Sequence, residues 1–450
     1  MSGLTPRDDS MAAIRFVGAC DALDPLMSRL LFERAGSSEG GDSVRAAVER
    51  IIARVRRDGD GALRELALEL DGASLDNLEV PRSQWTTALD TLAPAVRGAM
   101  ERAAGNIERV HRAFLPVATV TESEAGVTVG RRPDPLERVG VYAPGGRATY
   151  PSSVLMGVIP ARVAGVAEVI VCSPPVRGTM LPSAAVLAAA ALSGADRVYA
   201  IGGAGAIAAM AYGTQRIHRV DRLVGPGNAY VAEAKAQVAN VVGIDSPAGP
   251  SELLVLCDDA SDPAVVAREM LAQAEHDPLA AVVAVTTGER SARAIEAAIA
   301  AQLPDQPRAS IAGAALQGQG AVLWSGSVEA SIAFANRYAP EHLLLLAVDA
   351  DAILPSLRNA GTVFVGASSS VAFGDYITGA NHVLPTGGLS RVYSGLSTAD
   401  FVRWTTWQRV TPEAAARLAA DTGAFADAEG LGGHALAARA WLRPPMTRSA

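Results

Sequence analysis

From Ser43 to Leu70 the chain reads SVRAAVERIIARVRRDGDGALRELALEL, with apolar residues returning every three or four positions and charges on the remaining face. That period predicts amphipathic helix, and most of the first 140 or so residues read the same way. A Gly- and Pro-rich stretch, RRPDPLERVGVYAPGG, ends the pattern. From Val139 onward short β-branched runs alternate with Ala-rich segments: VGVYA, EVIVC and RVYAI are predicted strands, with helices after Pro151, Pro182 and Ala204. ELLVLC, AAVVAV, GAVLW, HLLLLAV and TVFVG continue the alternation. Strands separated by helices of this length imply βαβ units and parallel sheets, and two such series fit better than one very long sheet. The last fifty residues return to helix, with Thr411 as N-cap, Pro412 in the first turn and a second helix around HALAARAWL. The fold class is therefore α/β, with helical segments at both ends.

At 450 residues the chain exceeds one ordinary core, so about two or three domains are expected. Hydrophobic residues at 49% and charged residues at 19% suit a packed globular protein and exclude disorder. A net charge of −8, with Lys and Arg scattered, leaves no electrostatic footprint for nucleic acid. The N-terminus carries charges where a signal peptide needs apolar residues, and the most apolar segment, SAAVLAAAALSG, is stopped by Asp196 and Arg197 before it could span a bilayer. A cytoplasmic protein without membrane or nucleic-acid partners is expected. Cys20, Cys172 and Cys257 form no CxxC, and the last two end apolar runs, where a cysteine serves as a small buried hydrophobe.

Three glycine-rich turns follow predicted strands: APGGR at 143–147, IGGAGAIA at 201–208 and VGPGNAY at 224–230. Gly203, Gly205 and Ala208 have the GxGxxA spacing of a dinucleotide fingerprint, but Asp221 comes too early to be its customary acidic partner. Tight strand-to-helix turns alone would also account for these glycines.

Of the six histidines, His111 and His218 lie among charges and are expected at the surface. The other four stand in QAEHD, APEHL, GANHVLPTGG and EGLGGH. Asp262 and Pro263 start a predicted helix whose C-terminal end projects Gln273 and His276 from one face. Asp375 is expected in a glycine-bounded loop after a strand, seven residues before His382, and His434 opens the last helix after Glu429. Gln273, His276, Asp375 and His434 could offer two imidazoles, a carboxylate and an amide to a metal, a donor set that suits zinc, manganese or cobalt. Glu341-His342, behind Pro340 at a strand entrance, reads either as a general base pair or as a capping carboxylate beside an edge histidine.

The segments GVYAPGG, VGPGNAYVAEAK, SPAGPSELLV, AEHD, YAPEHL, GDYITGANHVLPTGG, SGLS and the EGL…H ending, in this order over nearly the whole chain, resemble the histidinol dehydrogenase family. The resemblance implies one zinc ion per subunit on Gln273, His276 and Asp375, with His434 supplied by the other subunit of a homodimer. Contacts to L-histidinol are implied for Ser251, His382 and Glu429, beside the zinc ligands and His342. NAD contacts are implied for Tyr142 and Asn228. In such enzymes His342 would remove the hydroxyl proton and Glu341 would activate water on histidinaldehyde, while two NAD accept the hydrides. The expected organisation is two incomplete Rossmann-like βαβ domains: residues 39–141 plus 251–396 carrying zinc and the catalytic pair, and 142–250 contributing to NAD binding. An N-terminal helical arm (1–38) and a C-terminal helical domain (397–450) that reaches the partner complete it. Rival readings are a related zinc and NAD alcohol dehydrogenase, such as a sulfopropanediol dehydrogenase, a zinc hydrolase, or a non-catalytic binding protein. One departure stands out: Gly205 replaces the glutamine that the family usually places against the cofactor. A raised Michaelis constant for NAD, lowered by Gly205→Gln in steady-state kinetics, is the expected consequence; an unchanged constant in the variant would refute it.

Overall fold

In a computed structural model, which describes residues 13–34, 41–145 and 149–442, the apolar runs of the second half form parallel strands. The N-terminal arm is thus described only from residue 13 to 34, and Gly146 and Arg147 of the APGGR turn lie outside the described residues. Six strands stand in the spatial order Phe16–Ala19, Gly320–Trp324, Ala281–Thr286, Glu252–Cys257, His342–Leu346 and Thr362–Val365, all parallel. ELLVLC and AVVAVT are buried at every position, which is why they read as unbroken apolar runs and not as alternating ones. Successive side chains go to opposite faces. Leu253, Val255 and Cys257 pack under the helix Pro263–Ala274, and Leu254 and Leu256 pack against Phe334, Ala335 and Tyr338 of the helix Val328–Tyr338.

A second parallel sheet has the order Arg197–Tyr199, Glu168–Cys172, Arg138–Tyr142, Arg222–Val224 and Gly243–Ile244. Its helices are Pro151–Val163, Ala184–Ser193, Gly203–Tyr212 and Ala229–Val238. In both sheets the chain builds outward from a central strand and then returns to its other side, so each has a point where strand order reverses. Cys172 and Cys257 are buried as expected, and burial pushes the Cys257 thiol up to about 12.

Both parallel sheets lie in one compact unit, formed by residues up to Phe114 and Leu136–Phe401. A second unit comprises Leu115–Pro135 and the chain from Val402. It contains three antiparallel strands, Thr119–Glu124, Val127–Pro135 and Val402–Val410, with the helices Pro412–Ala428 and Gly432–Arg439. The helical reading of these segments missed the strands, as it missed Phe16–Ala19. RRPDP, a break by its composition, completes a strand whose partner lies far along the chain, pairing Gly130 with Trp407. The Trp407 ring covers Gly130, where a Cβ would come within 2.2 Å of it. Among the described residues no helix is long and apolar enough to cross a membrane.

His218 is exposed, as expected, but His111 is not: it is 1% exposed on the helix Pro94–Ala113. Its helix repeats Met100, Ala103 and Ile107 on the buried face, and position 111 continues that stripe. The ring packs edge-on to Phe114, and neither ring nitrogen has a hydrogen-bond partner among the described residues. Burial disfavours the charged form and lowers the His111 pKa to about 4. Between about 6.5, the ordinary value, and about 4 the unfolded chain therefore binds a proton that the folded chain refuses. Stability contributed by neutral His111 is complete above that window and lost as pH falls through it. His111→Leu should lower the melting temperature less than wild type does between pH 7 and pH 4.5; equal losses would remove His111 from the acid response.

Candidate active site

The helix Val328–Tyr338 ends in Ala339, which has φ +52°, the one positive-φ residue other than glycine among the described residues. A left-handed alanine costs about 1 kcal/mol, so the surrounding structure must hold this turn. The turn delivers Pro340, Glu341 and His342 to the amino end of the strand His342–Leu346, between Leu253 and Thr362 of its neighbours. Glu341 is 6% and His342 3% exposed.

The backbone of Glu252 holds both side chains. Its N–H donates to Glu341 Oε2 at 2.7 Å, and His342 Nδ1 lies 3.1 Å from its carbonyl oxygen. A carbonyl only accepts, so Nδ1 carries the hydrogen and Nε2 is left with the lone pair whenever the ring is neutral. Nε2 faces Asp375 Oδ1 at 3.5 Å, and Glu341 Oε2 lies 3.4 Å from Nδ1. Burial alone would lower the His342 pKa, but the flanking Glu341 and Asp375 carboxylates outweigh it and push it up to about 10. Burial also raises the Glu341 carboxyl. A cation held by Asp375 would neutralise one of the two carboxylates that keep His342 charged.

Asp375 sits in a short helix, Val371–Tyr376, and not in the loop expected from its glycines. The buried Glu269 carboxylate holds that helix start, accepting from Ser370 Oγ at 2.8 Å and from the Val371 N–H at 3.2 Å. Glu269 lies one helical turn before Gln273, so one helix face supplies a candidate ligand and the anchor of another. The chain then folds back through Gly379, where a Cβ would meet the Asn106 carbonyl oxygen at 2.6 Å, and brings His382 Nδ1 to 3.1 Å from the Asp375 carbonyl. His382 Nε2 consequently accepts from Ser153 Oγ at 3.3 Å, and burial lowers its pKa, against the opposing pull of Asp375. Burial opposes ionisation of Asp375 as well, but His342, His382 and His276 together hold its pKa below the ordinary value.

Gln273 is buried near the end of the helix Pro263–Ala274, and Asp262 caps the helix start as expected. His276 Nδ1 is 3.2 Å from the Gln273 carbonyl, which again leaves Nε2 with the lone pair. A ring nitrogen fixed to a backbone carbonyl is the usual support of a metal-binding imidazole. Among the described residues no three of His, Cys, Asp and Glu gather in a way that could hold a metal ion. Of the expected ligand set, this unit has only His276 and Asp375 of those types, beside the Gln273 amide. The nitrogen and oxygen donors fit zinc in kind, with the set incomplete in this unit alone. His434 and Glu429 both lie exposed in the second unit, in the helix Gly432–Arg439 and at the end of Pro412–Ala428.

The other glycine turns meet at the order reversal of the five-stranded sheet. Tyr142 ends one central strand, and VGPGN follows the next. Gly225 has φ +116°, and a Cβ there would lie 2.1 Å from the Tyr142 carbonyl oxygen, so only glycine permits this approach. The Gly203 N–H donates to the Tyr142 hydroxyl at 3.0 Å. Asn228 caps the helix Ala229–Val238 through its side-chain oxygen. Crevices at the carboxyl ends of strands beside such a reversal are where α/β sheets bind ligands.

A sequence model of histidinol dehydrogenase matches residues 35–442. A histidinol dehydrogenase of Methanosarcina mazei is 43% identical over 432 residues, covering 96% of this chain and 98% of that protein. One from Halobacterium salinarum is 50% identical over 406 residues, 90% and 94% of the two chains. The chain belongs to the histidinol dehydrogenase family. A crystal structure of histidinol dehydrogenase from Elizabethkingia anophelis superposes with a TM-score of 0.90 at 34% identity, covering 96% of this chain and 98% of that one.

Against this family background Gly205 has a local explanation. It lies in the first turn of the helix Gly203–Tyr212, and a Cβ would come within 3.1 Å of Leu66 Cδ1 and 3.5 Å of Leu63 Cδ2. A glutamine must displace Leu66, so the Gly205→Gln kinetics are best read beside the same change in a Leu66→Ala background. Ser251, which the family resemblance implies at the substrate, is half-buried and immediately precedes Glu252. Glu252, Glu269 and Ser153 are not among the expected site residues. A carboxylate heading the fully buried ELLVLC strand, and another four residues before Gln273, were the available signals. Ser153 had none. Gly361 shows how tightly the pair is held, because a Cβ there would sit 2.5 Å from the Glu341 carbonyl oxygen. Gly361→Ala should shift Glu341 and cut kcat by about 10²-fold, while circular dichroism still shows a folded chain; unchanged kcat would mean the strand absorbs the methyl group.

Proposed function

We propose that this chain is a zinc-dependent, NAD-linked enzyme that oxidises L-histidinol through histidinaldehyde to L-histidine, in the last steps of histidine biosynthesis. The observation that carries the reading is the buried Glu341–His342 pair, aimed at Asp375 in a chain of this family. Gln273, His276 and Asp375 would hold the zinc, together with His434 of the partner subunit in a homodimer with shared sites. Bound zinc supplies a Lewis-acid anchor for the imidazole and amine of the substrate, and NAD accepts the hydrides.

His342 Nε2, freed by the Nδ1–H contact to Glu252, takes the hydroxyl proton in the first oxidation and a proton of the hydrate in the second. Glu341, held through Oε2, uses its carboxylate to activate the water that adds to the aldehyde. Neutral His382, Ser251 and Glu429 of the partner subunit orient the substrate. Residues 142–250 form a domain that contributes to NAD binding, with Tyr142 and Asn228 at the cofactor and Gly205 where a longer side chain would otherwise reach it. Residues 39–141 and 251–396 carry the chemistry, and 397–450 reaches the partner. The protein works in the cytoplasm.

Zinc-loaded protein with L-histidinol and NAD should yield two NADH per histidinol, and none would overturn the reading. His342→Asn should slow both oxidations by about 10²- to 10⁴-fold, the usual worth of a general base. Glu341→Gln should impair chiefly the aldehyde step; if aldehyde oxidation were intact, the division of roles would be wrong. Chelation should abolish turnover and added zinc should restore it.

A further inference from the structure

The backbone that holds Glu341 and His342 is itself held by a buried ion pair. The Glu252 carboxylate receives Arg34 through Nε at 2.9 Å and Nη2 at 3.2 Å, with side chains 7% and 4% exposed. Glu252 Oε1 also accepts the Gly387 N–H at 2.8 Å. Arg34 reaches further: Nη2 donates to the Tyr338 carbonyl at 2.8 Å, Nη1 to the Leu31 carbonyl, and its guanidinium lies 3.5 Å from the centre of the Tyr338 ring. Tyr338 ends the helix that enters the left-handed Ala339 turn. One guanidinium therefore ties together the two backbone segments that meet at the pair, Glu252 ahead of its strand and Tyr338 ahead of the turn.

From this geometry we infer that Arg34 and Glu252 are positioning residues for the Glu341–His342 pair, so that the segment 13–34 takes part in catalysis through Arg34 without touching substrate. The inference rests on the catalytic reading of that pair. Among the described residues neither side chain is hydrogen-bonded to Glu341 or His342. Arg34 fixes the Glu252 peptide, whose N–H orients Glu341 and whose carbonyl sets the His342 tautomer. Two buried charges are a costly way to gain stability alone, because desolvation offsets their attraction. Their planar, forked and stacked arrangement instead fixes a geometry that a lysine cannot reproduce.

The test is steady-state and single-turnover kinetics on zinc-loaded wild type, Arg34→Lys, Glu252→Gln and the double variant Arg34→Met/Glu252→Gln, each with melting temperature and zinc content. Arg34→Lys keeps the charge facing Glu252 but loses the fork to Tyr338. Positioning predicts a folded, zinc-loaded Arg34→Lys whose kcat falls about 10- to 100-fold in both oxidations, with Michaelis constants within about 2-fold of wild type. Loss in both steps distinguishes it from Glu341→Gln, which affects one. The double variant, free of an unpaired buried charge, should fold and be at least as slow. Wild-type kcat in folded Arg34→Lys and in the double variant would overturn the inference and leave the catalytic reading standing. Failure of all three variants to fold would make the pair structural and also overturn it. A wild-type enzyme that oxidises no histidinol would remove both.

Discussion

The parallel pairing of the strands Glu252–Cys257 and His342–Leu346 is the constraint on which the site depends. Its register sets His342 beside Leu253 and so places the Glu252 peptide against the Glu341–His342 dipeptide. In a strand the N–H and C=O of one residue point to the same side, and here those of Glu252 each meet a different member of the pair. A slip of one residue would turn every side chain of the strand to the other face and leave a buried carboxylate and a buried imidazole without these partners. Because both strands are buried on each face, the hydrophobic cores on the two sides enforce the register that the site requires.

Charge around Asp375 follows from a few backbone contacts. The Gln273 carbonyl orients His276, the Asp375 carbonyl orients His382, and the Glu252 carbonyl orients His342. Each takes the Nδ1 side, so that Nε2 carries the lone pair whenever the ring is neutral. Three imidazoles thus share one carboxylate, whose ionised form they stabilise. Glu269 holds the helix that carries this carboxylate, on the same helix that presents Gln273.

The two sheets use opposite ends. In the five-stranded sheet Tyr142, Gly203 and the Gly225 turn gather at the carboxyl ends of strands, where strand order reverses. In the six-stranded sheet Glu341 and His342 stand at the amino end, also beside the reversal. Loops from 381 to 387 bridge the sheets: Asn381 donates to the Met156 carbonyl and Thr386 receives the Gly249 N–H. Strain is stored in the same region, at Ala339, while the closest backbone approaches are met by Gly361 and Gly379.

The strands from VGVYA to TVFVG, the helices between them and the caps at Asp262 and Thr411 were legible because each is decided by local period or local hydrogen bonding. Sequence likewise offered Glu341, His342, Gln273, His276, Asp375 and His382 as candidates, but local spacing left Glu341-His342 open between a base pair and a capped strand edge, and the ordered family motifs favoured the first. Other features could not be read locally. Pro133 and Pro135 speak against a strand until Val402–Val410 arrives to pair with them. His111 looks like surface among its charged neighbours, and only packing turns it inward. Glu252, Arg34 and Glu269 act through contacts across 89, 218 and 102 positions, so no window along the chain contains both partners. The sequence by itself determined which chemical groups are available and which elements carry them. Tertiary structure alone decided which backbone oxygen orients each imidazole and which buried charges face one another, because those depend on strand register and helix packing between distant segments.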